Sequence, residues 1–253
     1  MNYITRSLQF AWGAYAWACF ALAVLFALFA MVLVPGRERR QRLAALTSKA
    51  VFIMPRVRVD ITGLHNVPEG HCIVVANHAS YVDGVLLKGY LPARFSFVIK
   101  GELRNIPLVH FVLRRAGAKF VDRSVHAASS RDARQIVKAA QDGESLAFFP
   151  EGTFRAEAGV GRFRPGAFVA AMRAALPVVP IAITGTRTML PSGRIWPRPN
   201  RLRIDILPPI APGDPDFQES RALAEAARQR ILSVLDEPDL EPSPDAAASV
   251  APD

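Results

Sequence analysis

The chain carries no charged side chain between Arg6 and Arg37, and this charge-free stretch limits what the chain can fold into more than any other feature. Residues 10–34 within it are almost entirely Ala, Leu, Val, Phe, Trp and Met. An α-helix over those residues would be roughly 37 Å long, enough to cross a hydrocarbon core of about 30 Å. The sequence therefore predicts a membrane-embedded segment over residues 1–36, which either spans the bilayer or dips into one leaflet.

The flanks of this segment predict its orientation. Trp12, Tyr15 and Trp17 lie towards its first end, and aromatic side chains favour a membrane–water interface. A cleaved signal peptide is disfavoured, because the run is long and lacks a small-residue cleavage site. Basic residues mark the cytoplasmic side, so we expect a protein of the cytoplasmic membrane whose remaining domain faces the cytoplasm. The basic residues at the second end are Arg37, Arg39, Arg40 and Arg42.

Residues 37–55 combine apolar residues at helical spacing with several basic residues. This pattern is typical of an amphipathic helix that lies along anionic lipid headgroups. It is equally typical of an ordinary helix that packs on the following domain. The sequence leaves these two interpretations open.

The formal net charge of +9 indicates an anionic partner. The six acidic residues of positions 236–253 occur without any Lys or Arg, so residues 1–235 carry a formal charge of about +15. Nucleic acid and an anionic membrane surface are the two candidate partners. The chain has no zinc-finger, helix-turn-helix or aromatic-rich basic motif, so we expect membrane lipids as partners and no nucleic acid.

The two cysteines predict neither a disulfide framework nor a metal site. Cys19 lies in the membrane segment and Cys72 in an apolar run, and neither is a credible nucleophile. The spacing of His65, His71 and His78 does not fit one helical face, which disfavours a metal-ligand set. We therefore expect a reducing compartment and no metal.

Short β-rich runs alternate with helical stretches over residues 56–235, without a linker or a repeat. This alternation predicts one α/β domain around a mixed, largely parallel sheet flanked by helices. Residues 236–253 lack periodicity and are rich in Pro, Asp, Ser and Ala, which predicts a disordered acidic tail. The predicted strands are 57–62, 72–76, 95–99, 118–121, 145–149, 178–183 and 202–207, and the predicted helices lie around 85–87, 106–116, 129–141, 165–175 and 221–235.

A histidine follows the predicted strand 72–76, and a carboxylate comes five residues later. Ligands usually bind at the carboxyl ends of strands in open α/β sheets. His78 can take a proton near neutral pH, and Asp83 on its other nitrogen would fix the tautomer and stabilise the imidazolium, as in a general base. The alternative is a loop histidine beside an aspartate that caps the next helix. No Gly-x-Ser-x-Gly elbow is present, so such a base would activate a hydroxyl of the substrate.

A second group of polar residues follows the predicted strand 145–149. Gly152 permits close approach of the backbone to a ligand, and exposed amides there can hold an anion. Arg155 suits either a basic mouth over a phosphate or a solvated basic loop. Lys100 and Arg123 follow two further predicted strands, where a guanidinium can grip a phosphate or form a surface ion pair.

The order of four sequence blocks resembles the lysophospholipid acyltransferase family, and within it the enzymes that acylate 1-acyl-sn-glycerol-3-phosphate. The match covers roughly residues 58–210, and four blocks in this order with these gaps are highly specific. The resemblance implies a glycerol-3-phosphate acyltransferase-like fold behind an N-terminal membrane helix. The blocks are Asn77-His78-x4-Asp83, Gly117-x-x-Phe120-x-Asp122-Arg123, Phe149-Pro150-Glu151-Gly152-Thr153 and Val179-Pro180-Ile181.

The resemblance also implies a reaction. An acyl chain would pass from acyl-CoA or acyl-carrier protein to the 2-hydroxyl of lysophosphatidic acid, giving phosphatidic acid without an acyl-enzyme and without a cofactor. His78 would be the general base and Asp83 its orienting partner. A carboxylate repels phosphate, so Glu151 would orient an arginine or accept from a glycerol hydroxyl. The predicted substrate-binding residues are Lys100, Arg123, Glu151, Gly152, Thr153 and Arg155, with Asn77 and Pro180 as structural support.

The third block departs from the family pattern at one position. The family usually has arginine directly after the threonine, whereas this chain has Phe154 there and an arginine at Arg155. In a rigid turn one residue redirects the side chain, so the identity of the acceptor stays open. The alternatives are the same chemistry on another lysolipid, such as a lyso-ornithine lipid, and a non-catalytic, membrane-tethered lipid-binding platform.

Overall fold

The computed structural model describes residues 3–121 and 126–241, and it describes side chains over 6–121 and 131–241. The predicted strands and helices occur in the predicted order, with bounds that differ by a few residues. The strands are β1 (Val59–Thr62), β2 (Ile73–Ala76), β3 (Ser96–Lys100), β4 (Lys119–Val121), β5 (Leu146–Phe148), β6 (Val178–Thr184) and β7 (Leu202–Ile206). The helices are α1 (Tyr3–Leu33), α2 (Arg37–Ile53), α3 (Asp83–Tyr90), α4 (Pro107–Arg115), α5 (His126–Gln141), α6 (Gly166–Ala174), α7 (Thr186–Met189) and α8 (Ser220–Leu232).

Within the described residues the strands form one seven-stranded sheet in the order β1-β7-β6-β2-β5-β3-β4. Neighbouring strands are parallel except for β6 and β7, which run antiparallel. The predicted mixed, largely parallel sheet is therefore confirmed. Because β2, β5 and β3 are adjacent and parallel, their carboxyl ends meet at one edge of the sheet, which we call the site edge.

The central strands have apolar side chains on both faces because helices cover both faces of the sheet. On one face, Ile73 and Val75 of β2 pack with side chains of α5, α6 and α8. On the other face, Cys72 and Val74 pack with Phe52 of α2 and with side chains of α3. Successive residues of a strand point to opposite faces, so β2 contributes to both cores and is held firmly where it reaches the site edge.

Helix α1 lies along the domain, with the exposed row of its apolar side chains on the opposite face. Over Arg6–Leu33 it is long and apolar enough to cross a membrane, by length and composition alone. At its C-terminal end the Arg115 guanidinium donates to the Met31 carbonyl oxygen at 3.0 Å. The apolar side chains it buries on one face are Cys19, Ala23, Ala27, Ala30 and Met31. The aromatic residues predicted at a membrane interface all donate hydrogen bonds to backbone carbonyls. Trp12 and Tyr15 donate to residues directly after α2, and Trp17 donates to the Ile195 carbonyl of the domain.

Helix α2 packs on the domain and keeps an exposed basic flank. Arg37 pairs with Glu144, and Arg40 donates to the backbone carbonyl at the end of α4 at 3.2 Å. Arg39 and Arg42 are exposed. The two interpretations of residues 37–55 are therefore compatible, and contact with lipid headgroups stays a prediction. The residues that α2 buries are Gln41, Ala44, Thr47 and Phe52.

The predicted disordered tail has to be shortened, because its first residues contact the domain. The Glu237 carboxylate pairs with Arg187 at 3.0 Å, and the Asp239 carboxylate pairs with Arg228 at 2.7 Å. The prediction is therefore wrong for residues 237–241. Composition shows that this stretch is acidic, but it does not show that two distant arginines face it. Residues 242–253 lie outside the described residues.

Candidate active site

Two loops converge at the site edge because the strands that carry them are neighbours. His78 follows β2 and Glu151 follows β5, and these strands pair in parallel with Val75 opposite Phe148. The His78 backbone N–H donates to Glu151 Oε1 at 2.8 Å, which joins the two loops directly. The first and third sequence blocks therefore form one site.

His78 and Asp83 form a hydrogen-bonded pair. His78 Nδ1 lies 2.8 Å from Asp83 Oδ2, and the Asp83 side chain is fully buried whereas 18% of the His78 side chain is exposed. The same Asp83 oxygen accepts from the backbone N–H groups of Ala79 and Ser80 at 2.7 and 2.8 Å, which fixes the carboxylate in position. Asp83 thus engages Nδ1 and leaves Nε2 as the nitrogen that can exchange a proton with a substrate.

The alternative role of Asp83 as a helix cap fits this geometry less well. Asp83 is the first residue of α3. Its carboxylate accepts from Ala79 and Ser80, which precede the helix, and a capping carboxylate would accept from N–H groups of the first turn. The carboxylate therefore organises the loop that carries His78.

Aromatic side chains enclose the His78 imidazole. The Phe149 ring stacks on it with a centroid distance of 4.3 Å and an interplanar angle of 22°. The Phe154 ring meets it edge-on at 4.8 Å, and Tyr81 meets Phe154 edge-on at 4.6 Å. These contacts hold the imidazole ring and limit the access of water to it. Phe154 therefore places an apolar ring beside the histidine.

Glu151 connects the His78 loop to residues 149–165, the loop between β5 and α6 that we call the site loop. Glu151 Oε1 accepts from the His78 N–H, and Oε2 accepts from the Gly161 N–H at 3.1 Å. Burial raises the pKa of Glu151, and the two backbone hydrogen bonds oppose that rise. Both oxygens thus have backbone partners, which indicates that Glu151 holds the two loops together. Its contact with an arginine or with a glycerol hydroxyl stays a prediction.

The two residues predicted as structural support lie in or beside the central strands. Asn77 is buried, and its Nδ2 donates to the Ile183 carbonyl oxygen at 3.0 Å while its Oδ1 accepts from the Ile183 N–H at 2.7 Å. The side chain thereby extends the pairing of β2 with β6 up to His78. Pro180 lies within β6 opposite Val75, below the site edge.

The predicted substrate-binding residues occupy different surroundings. Gly152 has a φ of +82°, a left-handed conformation that favours glycine, and it shapes the turn after Glu151. Thr153 and Arg155 are exposed in the same loop. Lys100 ends β3 at the site edge and pairs with a glutamate of the next turn at 3.0 Å. Arg123 lies outside the described residues, and substrate contacts of all these residues stay predictions.

Several contacts of the site were not anticipated from the sequence. The N–H groups of Ala79 and Ser80 act through the backbone, so their side-chain types carry no signal. Phe149 has the pattern of a buried strand residue, which hides its contact with the imidazole. Arg187 follows β6, and its Nη1 donates to the Arg155 carbonyl oxygen at 2.9 Å. Only the folded chain brings that arginine to the site loop.

The described residues contain no group of three or more His, Cys, Asp or Glu side chains that could hold a metal ion. Chemistry without a metal or cofactor remains a prediction. Cys72 is buried directly before β2, and burial raises the pKa of its thiol to about 11, which makes it a poor nucleophile.

A buried aspartate that orients a histidine at the carboxyl edge of a mostly parallel sheet suits proton transfer from a substrate hydroxyl. The chain belongs to the acyltransferase family, whose model matches residues 58–184 and therefore all four sequence blocks.

Several proteins with curated names are similar to this chain in sequence. The chain is 31% identical to a chloroplastic 1-acyl-sn-glycerol-3-phosphate acyltransferase of Brassica napus, over 64% of this chain and 48% of the relative. It is 30% identical to a protein of the same name from Chlamydomonas reinhardtii, over 79% of this chain and 58% of the relative. The chain spans about half the length of these curated relatives.

The fold is similar to a solved structure. The crystal structure of the 1-acyl-sn-glycerophosphate (LPA) acyltransferase PlsC from Thermotoga maritima matches 89% of this chain and 94% of that protein. The TM-score is 0.75 and the sequence identity is 26%. The similarity extends well beyond the family-model match.

Proposed function

We propose that this protein transfers an acyl chain from a thioester donor, acyl-CoA or acyl-carrier protein, to the 2-hydroxyl of 1-acyl-sn-glycerol-3-phosphate, forming phosphatidic acid. The observation that carries the proposal is the 2.8 Å hydrogen bond between His78 Nδ1 and Asp83 Oδ2 at the site edge. The names of the similar proteins support the choice of reaction.

In the proposed reaction His78 Nε2 accepts the proton of the acceptor's 2-hydroxyl while the hydroxyl oxygen attacks the thioester carbonyl carbon. Asp83 holds the imidazole through Nδ1 and stabilises the imidazolium that forms. The new C–O bond forms, the C–S bond breaks, and the leaving thiolate takes the proton from Nε2. The step balances in atoms and electrons without an acyl-enzyme.

The site loop supplies the positive charge that an acceptor phosphate needs. Arg155, Arg162 and Arg164 are all exposed in it. Basic side chains grouped at a site raise the local concentration of an anionic ligand and bind its phosphate through charge-assisted hydrogen bonds. We infer that the acceptor phosphate lies over this loop, with Lys100 of β3 on the same edge of the sheet.

A different acceptor is the second candidate, and one observation favours it. Phe154 stands beside the imidazole at 4.8 Å, where the family pattern has a cation. An apolar ring there suits a lysolipid without a terminal phosphate monoester, such as a lyso-ornithine lipid. The chemistry at His78 would be the same, because the hydroxyl and the thioester do not change.

Phe154→Arg is expected to shift acceptor selectivity towards lysophosphatidic acid, whose phosphate monoester carries more negative charge than the headgroup of lysophosphatidylethanolamine. A charge-assisted hydrogen bond contributes about 1.5–3 kcal/mol, so the ratio of kcat/KM for lysophosphatidic acid to that for lysophosphatidylethanolamine should rise about 10- to 100-fold. Phe154→Leu is the matched control, because it removes the ring without adding charge. An unchanged ratio in Phe154→Arg would show that this position does not sense the headgroup.

The donor and acceptor are tested together in detergent-purified protein. Labelled oleoyl-CoA or oleoyl-acyl-carrier protein is offered to lysophosphatidic acid and to a panel of other lysolipids. Formation of labelled phosphatidic acid supports the proposal. Transfer only to another lysolipid supports the second candidate. Absence of transfer with every pair, from protein with a cooperative thermal transition, would favour a non-catalytic lipid-binding platform.

We also propose that the protein attaches to membranes through the exposed apolar side chains of α1, on the face turned away from the domain, and through those of α4. Helix α4, which lies wholly within the described residues, buries none of its side chains. Its last residue, Arg115, binds the end of α1, so the two apolar surfaces adjoin. The cytoplasmic orientation indicated by the arginines remains part of this proposal. The exposed apolar residues are Leu22, Leu25, Phe26, Phe29 and Val32 on α1, and Leu108, Val109 and Phe111 on α4.

The double variant Phe26→Ser/Phe29→Ser is expected to bind anionic phospholipid vesicles at least 10-fold more weakly than the wild type. Full burial of one such side chain contributes about 1.5–3 kcal/mol, and two side chains are lost. Vesicle co-sedimentation measures the effect. Val234→Ser is the control, because Val234 is also exposed but lies just beyond α8, on the other side of the sheet. Equal binding of the double variant and the control would contradict attachment through α1.

A further inference from the structure

Arg187 joins the site loop to the end of the chain. Its side chain is 17% exposed, and its Nη1 donates to the carbonyl oxygens of Arg155 and Glu157 at 2.9 and 2.8 Å. Its Nη2 also reaches the Gly159 carbonyl oxygen at 3.4 Å. Its Nε and Nη2 donate to the two carboxylate oxygens of Glu237 at 3.0 Å. One guanidinium therefore holds alternate carbonyls of the site loop and a carboxylate beyond α8.

Residues 237–240, which we call the strap, pair with the same part of the site loop. Within the strap, the Glu237 carboxylate accepts from the Gly159 N–H at 3.0 Å. The Val160 N–H donates to the Pro238 carbonyl oxygen at 3.1 Å, and the Leu240 N–H donates to the Val160 carbonyl oxygen at 3.2 Å. The strap thus adds backbone hydrogen bonds to those that the guanidinium makes.

A continuous series of hydrogen bonds leads from the strap to the histidine. Gly161 comes directly after the strap-bound Val160, and its N–H donates to Glu151 Oε2. Glu151 Oε1 accepts from the His78 N–H. A shift of Gly161 would therefore move the Glu151 carboxylate, which holds the His78 backbone.

We propose that Arg187 and Glu237 are positioning residues for the acyl-transfer step. They hold the site loop so that Gly161 and His78 meet at Glu151. The inference rests on the proposed function for its turnover measurement, and it has a second measurement that does not need turnover. Neither residue contacts the imidazole, so both act through the site loop.

Glu237→Gln tests the proposal with little change in shape. Glu144→Gln is the matched control, because Glu144 is a glutamate of equal exposure (20% against 21%) that also pairs with an arginine. It precedes β5, at the edge of the sheet opposite the site. Two truncated chains complete the set: one ends at residue 235 and lacks the strap, and the other ends at residue 242 and keeps it.

Two quantities are measured at a temperature well below the Tm of every variant. The first is hydrogen–deuterium exchange of residues 155–161, and the second is kcat with whichever lysolipid the wild type acylates. Glu237→Gln is expected to speed exchange in the site loop and to lower kcat about 10-fold, with KM changed less than 2-fold, because small displacements of catalytic groups are costly. The chain ending at residue 235 should lose more activity, and the chain ending at residue 242 should match the wild type.

The outcomes separate this inference from the proposed function. Faster exchange and lower kcat in Glu237→Gln, with neither in Glu144→Gln, support it. Unchanged exchange in Glu237→Gln overturns the inference, whether or not the wild type acylates any acceptor. A wild type that acylates no acceptor separately refutes the proposed function. Faster exchange with wild-type kcat also overturns it, since the strap would then be structural only. A lower Tm alone, shared by both glutamine variants, likewise indicates a structural role.

Discussion

His78→Ala is expected to lower kcat for acyl transfer by about 10²- to 10⁴-fold, because the imidazole takes the proton of the attacking hydroxyl. The measurement is the rate of labelled lipid formation at saturating donor and acceptor. Lipid binding should persist, since the variant removes a ring that is only partly exposed and leaves the basic site loop intact. A variant with wild-type kcat would contradict the assignment of His78 as the base.

Asp83→Asn tests the second member of the pair and should cause a loss of similar size. Asparagine keeps the shape of the side chain and an oxygen that can accept from the Ala79 and Ser80 N–H groups. It lacks the negative charge that stabilises the imidazolium, and it can select the wrong tautomer of His78. Asp205→Asn is the control for a buried aspartate, because Asp205 belongs to β7 and hydrogen-bonds Thr62.

His65→Ala is the matched control for the histidine substitution. His65 is exposed and lies in the turn after β1. Strand β1 is parallel to β7, which is antiparallel to β6, so this turn lies at the edge opposite the site. The control should keep wild-type kcat. If both histidine variants lost activity equally, the effect would be one of stability and not of proton transfer.

Glu151→Gln is expected to lower kcat roughly 10- to 100-fold, because it disconnects the His78 loop from the site loop. A glutamine side chain has one accepting oxygen, so its NH₂ group would face one of the two backbone N–H donors. A buried donor without a partner costs about 1–3 kcal/mol, which corresponds to a fall in Tm of roughly 5 °C for a chain of this size. Thermal unfolding and kcat together measure both effects.

Glu151→Gln and Glu237→Gln should differ in how much kcat they lose. Glu151 touches the His78 backbone directly, whereas Glu237 acts through Arg187 and Gly159. The first variant should therefore have the larger loss of kcat. A larger loss in the second would mean that the site loop binds substrate in a way that Glu151 does not control.

Local patterns were sufficient to predict the elements of the fold. The apolar run 72–76 predicts a buried strand, and β2 occupies Ile73–Ala76. The periodicity of 221–235 predicts a helix, and α8 occupies Ser220–Leu232. These predictions succeed because hydrophobic periodicity reports which faces of an element are buried. The short helix α7 was missed, since four residues are too few for a periodic signal.

The spacing within each sequence block was sufficient to propose the histidine–aspartate pair. Asp83 comes five positions after His78, a distance that one loop and the start of a helix can close. The contact of His78 with Glu151 is different, because 73 residues separate them. This contact depends on the pairing of β2 with β5, and neither sequence block predicts which strands are neighbours in the sheet.

The sequence by itself determined the alternation of strands and helices, the apolar N-terminal helix and the residues of the four blocks. Only the tertiary structure decided that α1 lies along the domain, that Phe149 and Phe154 enclose the imidazole, and that Arg187 and Glu237 hold the site loop. The physical reason is the range of the interactions. Periodicity and turn chemistry act between near neighbours, whereas strand order and partly buried ion pairs join residues that are far apart in the chain.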